Sequence, residues 1–150
     1  MVSMRACEDE EEGADLYGST RPRVLVVDDN SEMRRVVLDA LRQEGYEVRE
    51  AASARMLLDM ILQIETSAFP IDGIDLVVLD HRMPGMTGLD AMRILRQADK
   101  RVPAILMTAY PEGRVQADAA SLDVMVLPKP FTRADLCRFV QLKLGVDRRH

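Results

Sequence analysis

The stretch VLVVDDN, residues 24–30, places four consecutive aliphatic residues directly before two adjacent aspartates. A short, uninterrupted aliphatic run is typical of a strand that is buried on both faces of a parallel sheet. Two like charges at the end of such a strand repel each other unless a positive partner lies nearby. The stretch therefore predicts a buried strand that delivers a charged site at its carboxyl end.

Similar runs recur along the chain from residue 23 onward and alternate with longer amphipathic stretches. This alternation is the pattern of parallel strands that are joined by crossover helices. Five such units are present. Their predicted strands are VLVV (24–27), EVRE (47–50), DLVVL (75–79), AILM (104–107) and VMVL (124–127). The predicted fold class is α/β, a (βα)5 doubly wound parallel sheet.

The amphipathic stretches predict five helices. Ser31 is a candidate N-cap of the first helix and Gly45 a candidate residue just past its end. A Thr132-x-x-Asp135 pattern close to a capping box opens the last helix. The four later predicted helices cover 53–65, 88–99, 111–121 and 132–144. Residues 66–74, TSAFPIDGI, contain Pro and Gly and predict an irregular connection.

Length and charge fit one globular domain with an acidic N-terminal segment. The chain has 150 residues, and its composition of 47% hydrophobic and 30% charged residues excludes disorder along the whole length. Residues 1–20 hold six acidic residues and one arginine, which accounts for the net charge of -5. We predict a disordered acidic tail at 1–21, one domain at 22–146 and a short tail at 147–150.

Several classes of protein do not fit this composition. The neutral body lacks the clustered basic face that direct nucleic-acid binding requires. No apolar run approaches the roughly 20 residues that span a bilayer, and the acidic N-terminus does not resemble a signal peptide, so we expect a cytoplasmic protein. Cys7 and Cys137 show no spacing typical of zinc ligands or of a disulfide scaffold.

Charged or polar side chains follow four of the five predicted strands. Asp28 and Asp29 follow the first strand, Asp80 the third, Thr108 the fourth and Lys129 the fifth. Right-handed crossovers bring these positions to one edge of the sheet. Three carboxylates there would repel by about 4 kcal/mol per pair at ~4 Å and an effective dielectric near 20. Oxygen ligands of this kind predict a Mg²⁺ site, although an Asp-Asp pair can also simply cap the following helix.

Taken in order, these stretches resemble the receiver domains of bacterial two-component response regulators, similar to the chemotaxis regulator fold. The resemblance covers about residues 22–145. It rests on Asp28-Asp29, Asp80 within D-x-x-M-P-x-x-x-G, Thr108-Ala109 and Lys129-Pro130-Phe131. It implies a flavodoxin-like sheet with strand order 2-1-3-4-5.

The resemblance also implies a metal-binding role for one group of residues. Asp29, Asp80 and the backbone carbonyl of Arg82 would hold Mg²⁺, and Asp28 would reach the ion through a water molecule. These assignments agree with the preference of Mg²⁺ for oxygen ligands and retained waters.

A second group of residues would handle the phosphoryl group. By the resemblance, Asp80 is the nucleophile that takes a phosphoryl group from a phosphohistidine. Lys129 places a positive charge on a phosphoryl oxygen, and the Thr108 hydroxyl donates to the attached group. A cis peptide is implied before Pro130, and His81 is expected to pack or face solvent.

One position departs from the family. Receiver domains usually carry Tyr or Phe three residues before the lysine, whereas this chain carries Val126. A valine cannot exchange buried and exposed rotamers with a comparable change in surface, so the usual threonine–aromatic switch is in doubt. Tyr110 is a candidate substitute.

The function predicted from the sequence is that of a single-domain response regulator or an isolated receiver domain. Its partners would be a histidine kinase or histidine phosphotransfer protein and an unknown downstream protein. Only four residues follow Val146, so no DNA-binding module is expected within this sequence. The cognate kinase, the target and the oligomeric state stay open, as does whether the sequence is part of a longer chain.

Two alternatives stay open. Val126 favours a phosphorylation-independent adaptor of the same fold. An aspartate-nucleophile phosphatase of the haloacid dehalogenase type agrees less well, because that class resembles D-x-D-x-T and the chain reads DDNSE. We predict no enzyme activity beyond the protein's own phosphorylation and dephosphorylation.

Overall fold

The computed structural model describes residues 21–62 and 73–145. The strands are β1 (Arg23–Val27), β2 (Glu47–Ala51), β3 (Leu76–Asp80), β4 (Ala104–Thr108) and β5 (Val124–Pro128). The helices are α1 (Ser31–Gln43), α2 (Ala54–Leu62), α3 (Gly88–Gln97), α4 (Arg114–Ser121) and α5 (Arg133–Leu144). The predicted acidic tail up to residue 20, the tail at 147–150 and most of the connection at 66–74 lie outside the described residues.

The five strands form one parallel sheet in the order β2-β1-β3-β4-β5. The predicted doubly wound topology is confirmed. The chain order reverses between β1 and β3, which is where ligands bind in sheets of this type. Registers of Val27 with Leu79, Asp80 with Met107 and Thr108 with Pro128 align the carboxyl ends of the strands at one edge.

Successive side chains of each central strand enter two separate hydrophobic clusters, as the two-residue period of a strand requires. In β1, Leu25 and Val27 join a cluster with α2, α3 and α4, whereas Val24 and Val26 join a cluster with α1 and α5. The VLVV run is therefore buried on both faces, as predicted. In β5, VMVL occupies a sheet edge, where Met125 and Val126 are half-buried on opposite faces.

Two helix ends follow the sequence signals in detail, and three do not. The N-cap of α1 is Asn30, whose side-chain oxygen accepts from the Met33 N–H at 2.9 Å, so the prediction of Ser31 was wrong. Gly45 follows the C-cap with φ 95°, as predicted. Thr132 forms a full capping box with Asp135 at α5. A second capping box, Thr87 with Asp90 at α3, was not predicted, and α4 begins at Arg114 rather than at 111.

Gly88 sits where α3 packs against the end of β3. It is the first residue of α3, and its N–H donates to the His81 carbonyl at 2.8 Å. A Cβ at this position would lie 2.5 Å from the Asp80 carbonyl oxygen and 2.8 Å from Cδ1 of Leu106. The missing side chain therefore allows α3 to approach the residue that carries the central carboxylate of the site.

We expect Gly88→Ala to lower the free energy of unfolding by about 2–3 kcal/mol, because a backbone oxygen of a central strand cannot shift to accommodate the new methyl group. Urea unfolding followed by circular dichroism measures this. At an unhindered position inside a helix, replacing Gly by Ala instead raises the free energy of unfolding by up to about 1 kcal/mol. A variant as stable as the wild type, or more so, would contradict the close packing.

No helix within residues 21–62 and 73–145 is long and apolar enough to cross a membrane.

Candidate functional site

Three aspartates meet at the carboxyl edge of the sheet. Asp28 and Asp29 follow β1, and Asp80 is the last residue of β3. One carboxylate oxygen from each lies within 4.8 Å of the other two. Asp28 and Asp80 are buried, whereas Asp29 is exposed. The structure thus brings together the three carboxylates that the sequence predicted to converge.

Asp28 shows that this cluster fits a cation. The backbone N–H of Asn30 donates to one of its oxygens at 2.9 Å, and the other oxygen, Oδ2, is buried without a hydrogen-bond partner among the described residues. Burial raises the pKa of Asp28, the Asn30 N–H acts against this rise, and the charge of Asp80 adds to it. A buried carboxylate oxygen without a partner is costly. A hard divalent ion with its water shell would satisfy it.

The loop that carries this aspartate pair is held from outside the cluster. The guanidinium of Arg34 in α1 donates to the Asp28 carbonyl at 2.6 Å and pairs with Glu50 of β2 at 2.7 Å. The Asp28 N–H donates to the carbonyl of Ala51 at 3.2 Å. Helix, loop and edge strand are therefore linked through one side chain and one backbone contact.

Lys129 reaches the site from the end of β5. Its Nζ lies 2.6 Å from Oδ1 of Asp80, and the Asp80 side chain is only 7% exposed. The Lys129 N–H donates to the carbonyl of Thr108 at 2.8 Å, and the peptide between Lys129 and Pro130 is cis, as the resemblance implied. A lysine paired with a buried carboxylate supplies a fixed positive charge to that oxygen.

Thr108 ends β4 and is buried. Its hydroxyl oxygen accepts a hydrogen bond from the Tyr110 N–H at 3.0 Å, so the hydroxyl hydrogen is still available for a further acceptor. A cavity of about 340 Å³ joins this hydroxyl to the rest of the site. Its lining includes every residue predicted for the site: Asp28, Asp29, Asp80, Arg82, Thr108 and Lys129.

The sequence did not predict how the loops at the mouth of this cavity are arranged. The Arg82 guanidinium lies over the ring of Tyr110, 4.9 Å from the ring centre. His81 is half-buried, its Nδ1 has no partner among the described residues, and burial lowers its pKa. These contacts depend on loop conformation, for which periodicity and spacing carry no signal.

A comparison with known protein families agrees with the residues found at the site and with the topology of the sheet. The model of the response regulator receiver domain matches residues 24–141. The chain belongs to this family.

Individual relatives share the receiver domain but differ in length. The regulatory protein AtoC of Escherichia coli is 34% identical over 128 residues, a match that covers 83% of this chain and 26% of AtoC. The sporulation initiation phosphotransferase F of Bacillus subtilis is 31% identical over 110 residues, and the match covers 82% of that protein. The chain thus spans about a quarter of the first relative and most of the second.

A solved receiver structure carries the same fold. The response regulator protein TrrA of Thermotoga maritima, in complex with Mg²⁺-BeF, superposes with a TM-score of 0.68 at 31% identity, covering 82% of this chain and 99% of that chain. Receiver domains bind Mg²⁺ at their acidic pocket and interact with histidine kinases or phosphotransfer proteins. The predicted family and fold are therefore confirmed, while the individual roles of the site residues stay predictions.

Val126 occupies the position at which receiver domains usually carry an aromatic residue. Its side chain is half-buried on the face of β5 that packs toward α2, α3 and α4. Among the described residues, the aromatic ring nearest in sequence to Thr108 is that of Tyr110, which is 57% exposed. An aromatic switch at position 126 is excluded by the residue type alone.

Proposed function

We propose that this receiver domain takes a phosphoryl group onto a carboxylate oxygen of Asp80 and signals through protein–protein contacts. The observation that carries the proposal is the 2.6 Å contact between Lys129 and Asp80 inside the cavity that also holds Asp28, Asp29 and Thr108. The donor would be the phosphohistidine of a histidine kinase or phosphotransfer protein. The downstream protein is not identified by this site.

Asp29, Asp80 and the backbone carbonyl of Arg82 would hold Mg²⁺, with Asp28 reaching it through water. When bound, the ion offsets negative charge on the phosphoryl oxygens. The unpartnered oxygen of Asp28 and the 4.8 Å carboxylate cluster support this assignment.

In the proposed transfer, an Asp80 oxygen forms a bond to phosphorus while the bond from phosphorus to the histidine nitrogen breaks. The electron pair of that bond stays on the imidazole nitrogen. Asp80 attacks as a carboxylate, so no general base has to remove a proton. The Lys129 ammonium donates to a phosphoryl oxygen, and the Thr108 hydroxyl donates its free hydrogen to another.

The test is intact mass after incubation with Mg²⁺ and acetyl phosphate. We expect the wild type to gain the mass of one phosphoryl group, and a chelator to prevent the gain because the carboxylates then repel the incoming phosphate. Failure to form an adduct with several donors over a range of times would overturn the proposal. We expect no turnover of a generic phosphate ester, which would instead indicate a phosphatase.

An adaptor that binds its partner in every phosphorylation state is a second candidate. The half-buried Val126 favours it, because this side chain has no large alternative position that could report on Thr108. Binding of an identified partner before and after phosphoryl loading distinguishes the two. Equal affinities indicate an adaptor, whereas a difference indicates a switch. Either protein would act in the cytoplasm, where histidine kinases present their phosphohistidine.

A further inference from the structure

One cation at the mouth of the cavity is not used by the proposed transfer. The side chain of Arg82 is exposed and has no carboxylate within ion-pairing distance among the described residues. Its guanidinium instead rests 4.9 Å from the centre of the Tyr110 ring, and both residues line the cavity that contains Asp80. An exposed contact of this kind is weak compared with a guanidinium–phosphate hydrogen-bond pair.

The charge balance of the site changes when Asp80 is loaded. Three carboxylates and the Lys129 ammonium give the cluster a net charge of −2, which one divalent cation would neutralise. A phosphoryl group replaces the single negative charge of Asp80 by about two. Loading therefore leaves about one negative charge without a counter-charge at the mouth of the cavity. The Arg82 guanidinium lies there and has no anionic partner among the described residues.

We propose that the Arg82 guanidinium is a further phosphoryl-binding group. When Asp80 is loaded, the guanidinium moves away from the Tyr110 ring and contacts the phosphoryl oxygens. The proposal rests on the proposed function of Asp80. It separates two roles of one residue, since the backbone carbonyl of Arg82 is assigned to the metal and the side chain to the phosphoryl group. Tyr110 is the resting partner of that side chain.

Tyr110 is also linked to the other end of the phosphoryl site. Its N–H donates to the Thr108 hydroxyl oxygen at 3.0 Å, so the loop that presents the ring is anchored on a group that would contact the phosphoryl oxygens. Release of the guanidinium would therefore free the ring of Tyr110, an exposed residue, beside the loaded site. The state of Asp80 would then be visible at the protein surface through Arg82 and Tyr110.

The test uses beryllofluoride with Mg²⁺ as a stable probe for the phosphoryl site, with affinities from titration calorimetry. We expect Arg82→Met to weaken beryllofluoride binding about tenfold or more, the loss typical of a charge-assisted hydrogen bond. The affinity for Mg²⁺ alone should not fall, because the backbone carbonyl remains. Arg101→Met is the matched control, since Arg101 is an exposed arginine just before β4, at the opposite edge of the sheet.

The ring is tested separately. We expect Tyr110→Leu to tighten beryllofluoride binding about threefold, because the guanidinium no longer gives up a cation–π contact. Tyr110→Phe keeps the ring and should behave as the wild type. In the Arg82→Met background the Tyr110→Leu change should have no effect on binding, the coupling expected if the ring acts only through the guanidinium.

The outcomes separate this inference from the proposed function. If the wild type takes up a phosphoryl group and binds beryllofluoride, but Arg82→Met binds it equally well, the inference is wrong and the proposed function stands. If Arg82→Met weakens Mg²⁺ binding as much as beryllofluoride binding, Arg82 merely shapes the loop and the inference is again overturned. If the wild type neither forms an adduct nor binds beryllofluoride, both fail together. Arg82→Lys, which keeps the charge but not the planar fork, should fall between wild type and Arg82→Met.

Discussion

Asp80→Asn should take up no phosphoryl group from acetyl phosphate under conditions in which the wild type is fully modified. The amide that replaces the carboxylate is not a nucleophile, so uptake should fall by about a thousandfold or more. Asparagine has nearly the same shape as aspartate and fits the same buried position at the end of β3. Intact mass measures the loss, and circular dichroism shows whether the fold is retained.

The control for this prediction is a second aspartate that the site does not use. Asp59 is exposed in α2 and belongs to none of the clusters described above. Asp59→Asn should gain a phosphoryl group like the wild type. If Asp80→Asn still formed an adduct, another side chain would be the acceptor, and the role of Asp80 would be wrong even though the fold is that of a receiver domain.

The same variant separates a switch from an adaptor. A partner that binds only the loaded protein should lose affinity for Asp80→Asn treated with acetyl phosphate and Mg²⁺. An adaptor should bind its partner equally well in wild type and variant. Val126, which offers no ring to bury or release, makes this comparison informative in either direction.

The central strands could be predicted from the sequence because burial on both faces imposes a continuous apolar run that no loop shares. The site could be predicted for a related reason, since the order of residues after each strand determines what meets at the sheet edge. The strand ends were less well defined. Asp80 and Thr108 are themselves paired strand residues rather than the first residues of loops, because their backbones continue the ladders to β4 and β5.

The prediction of the α1 N-cap was wrong because two neighbouring residues can both cap a helix. Asn30 and Ser31 are both good caps, and the choice depends on which backbone N–H lies within reach of the side chain. The sequence also gave no sign of why a glycine is needed at position 88, where a Cβ would lie 2.5 Å from the Asp80 carbonyl oxygen. Long-range approaches of this kind, like the contact of Arg82 with Tyr110, leave no periodic trace in the sequence.

Lys129→Met should slow phosphoryl uptake and at the same time tighten Mg²⁺ binding. Loss of the ammonium removes a donor to the developing charge on the phosphoryl oxygens, so the rate of phosphoryl uptake should fall about 10²–10³-fold. The same loss changes the net charge of the metal cluster from −2 to −3, since Lys129 is the cation paired with Asp80. Mg²⁺ should therefore bind more tightly, by about tenfold after allowance for solvent screening.

This opposition distinguishes an electrostatic role of Lys129 from a structural one. A lysine that only held β5 in place would, on removal, loosen the site and weaken both metal binding and phosphoryl uptake. Lys129→Arg keeps the positive charge but replaces a compact ammonium with a planar fork, so it should leave the Mg²⁺ affinity near that of the wild type while uptake still falls. Lys100→Met, at an exposed position before β4, should change neither quantity. Parallel losses of metal affinity and uptake in Lys129→Met would show that the 2.6 Å contact with Asp80 serves packing rather than phosphoryl transfer.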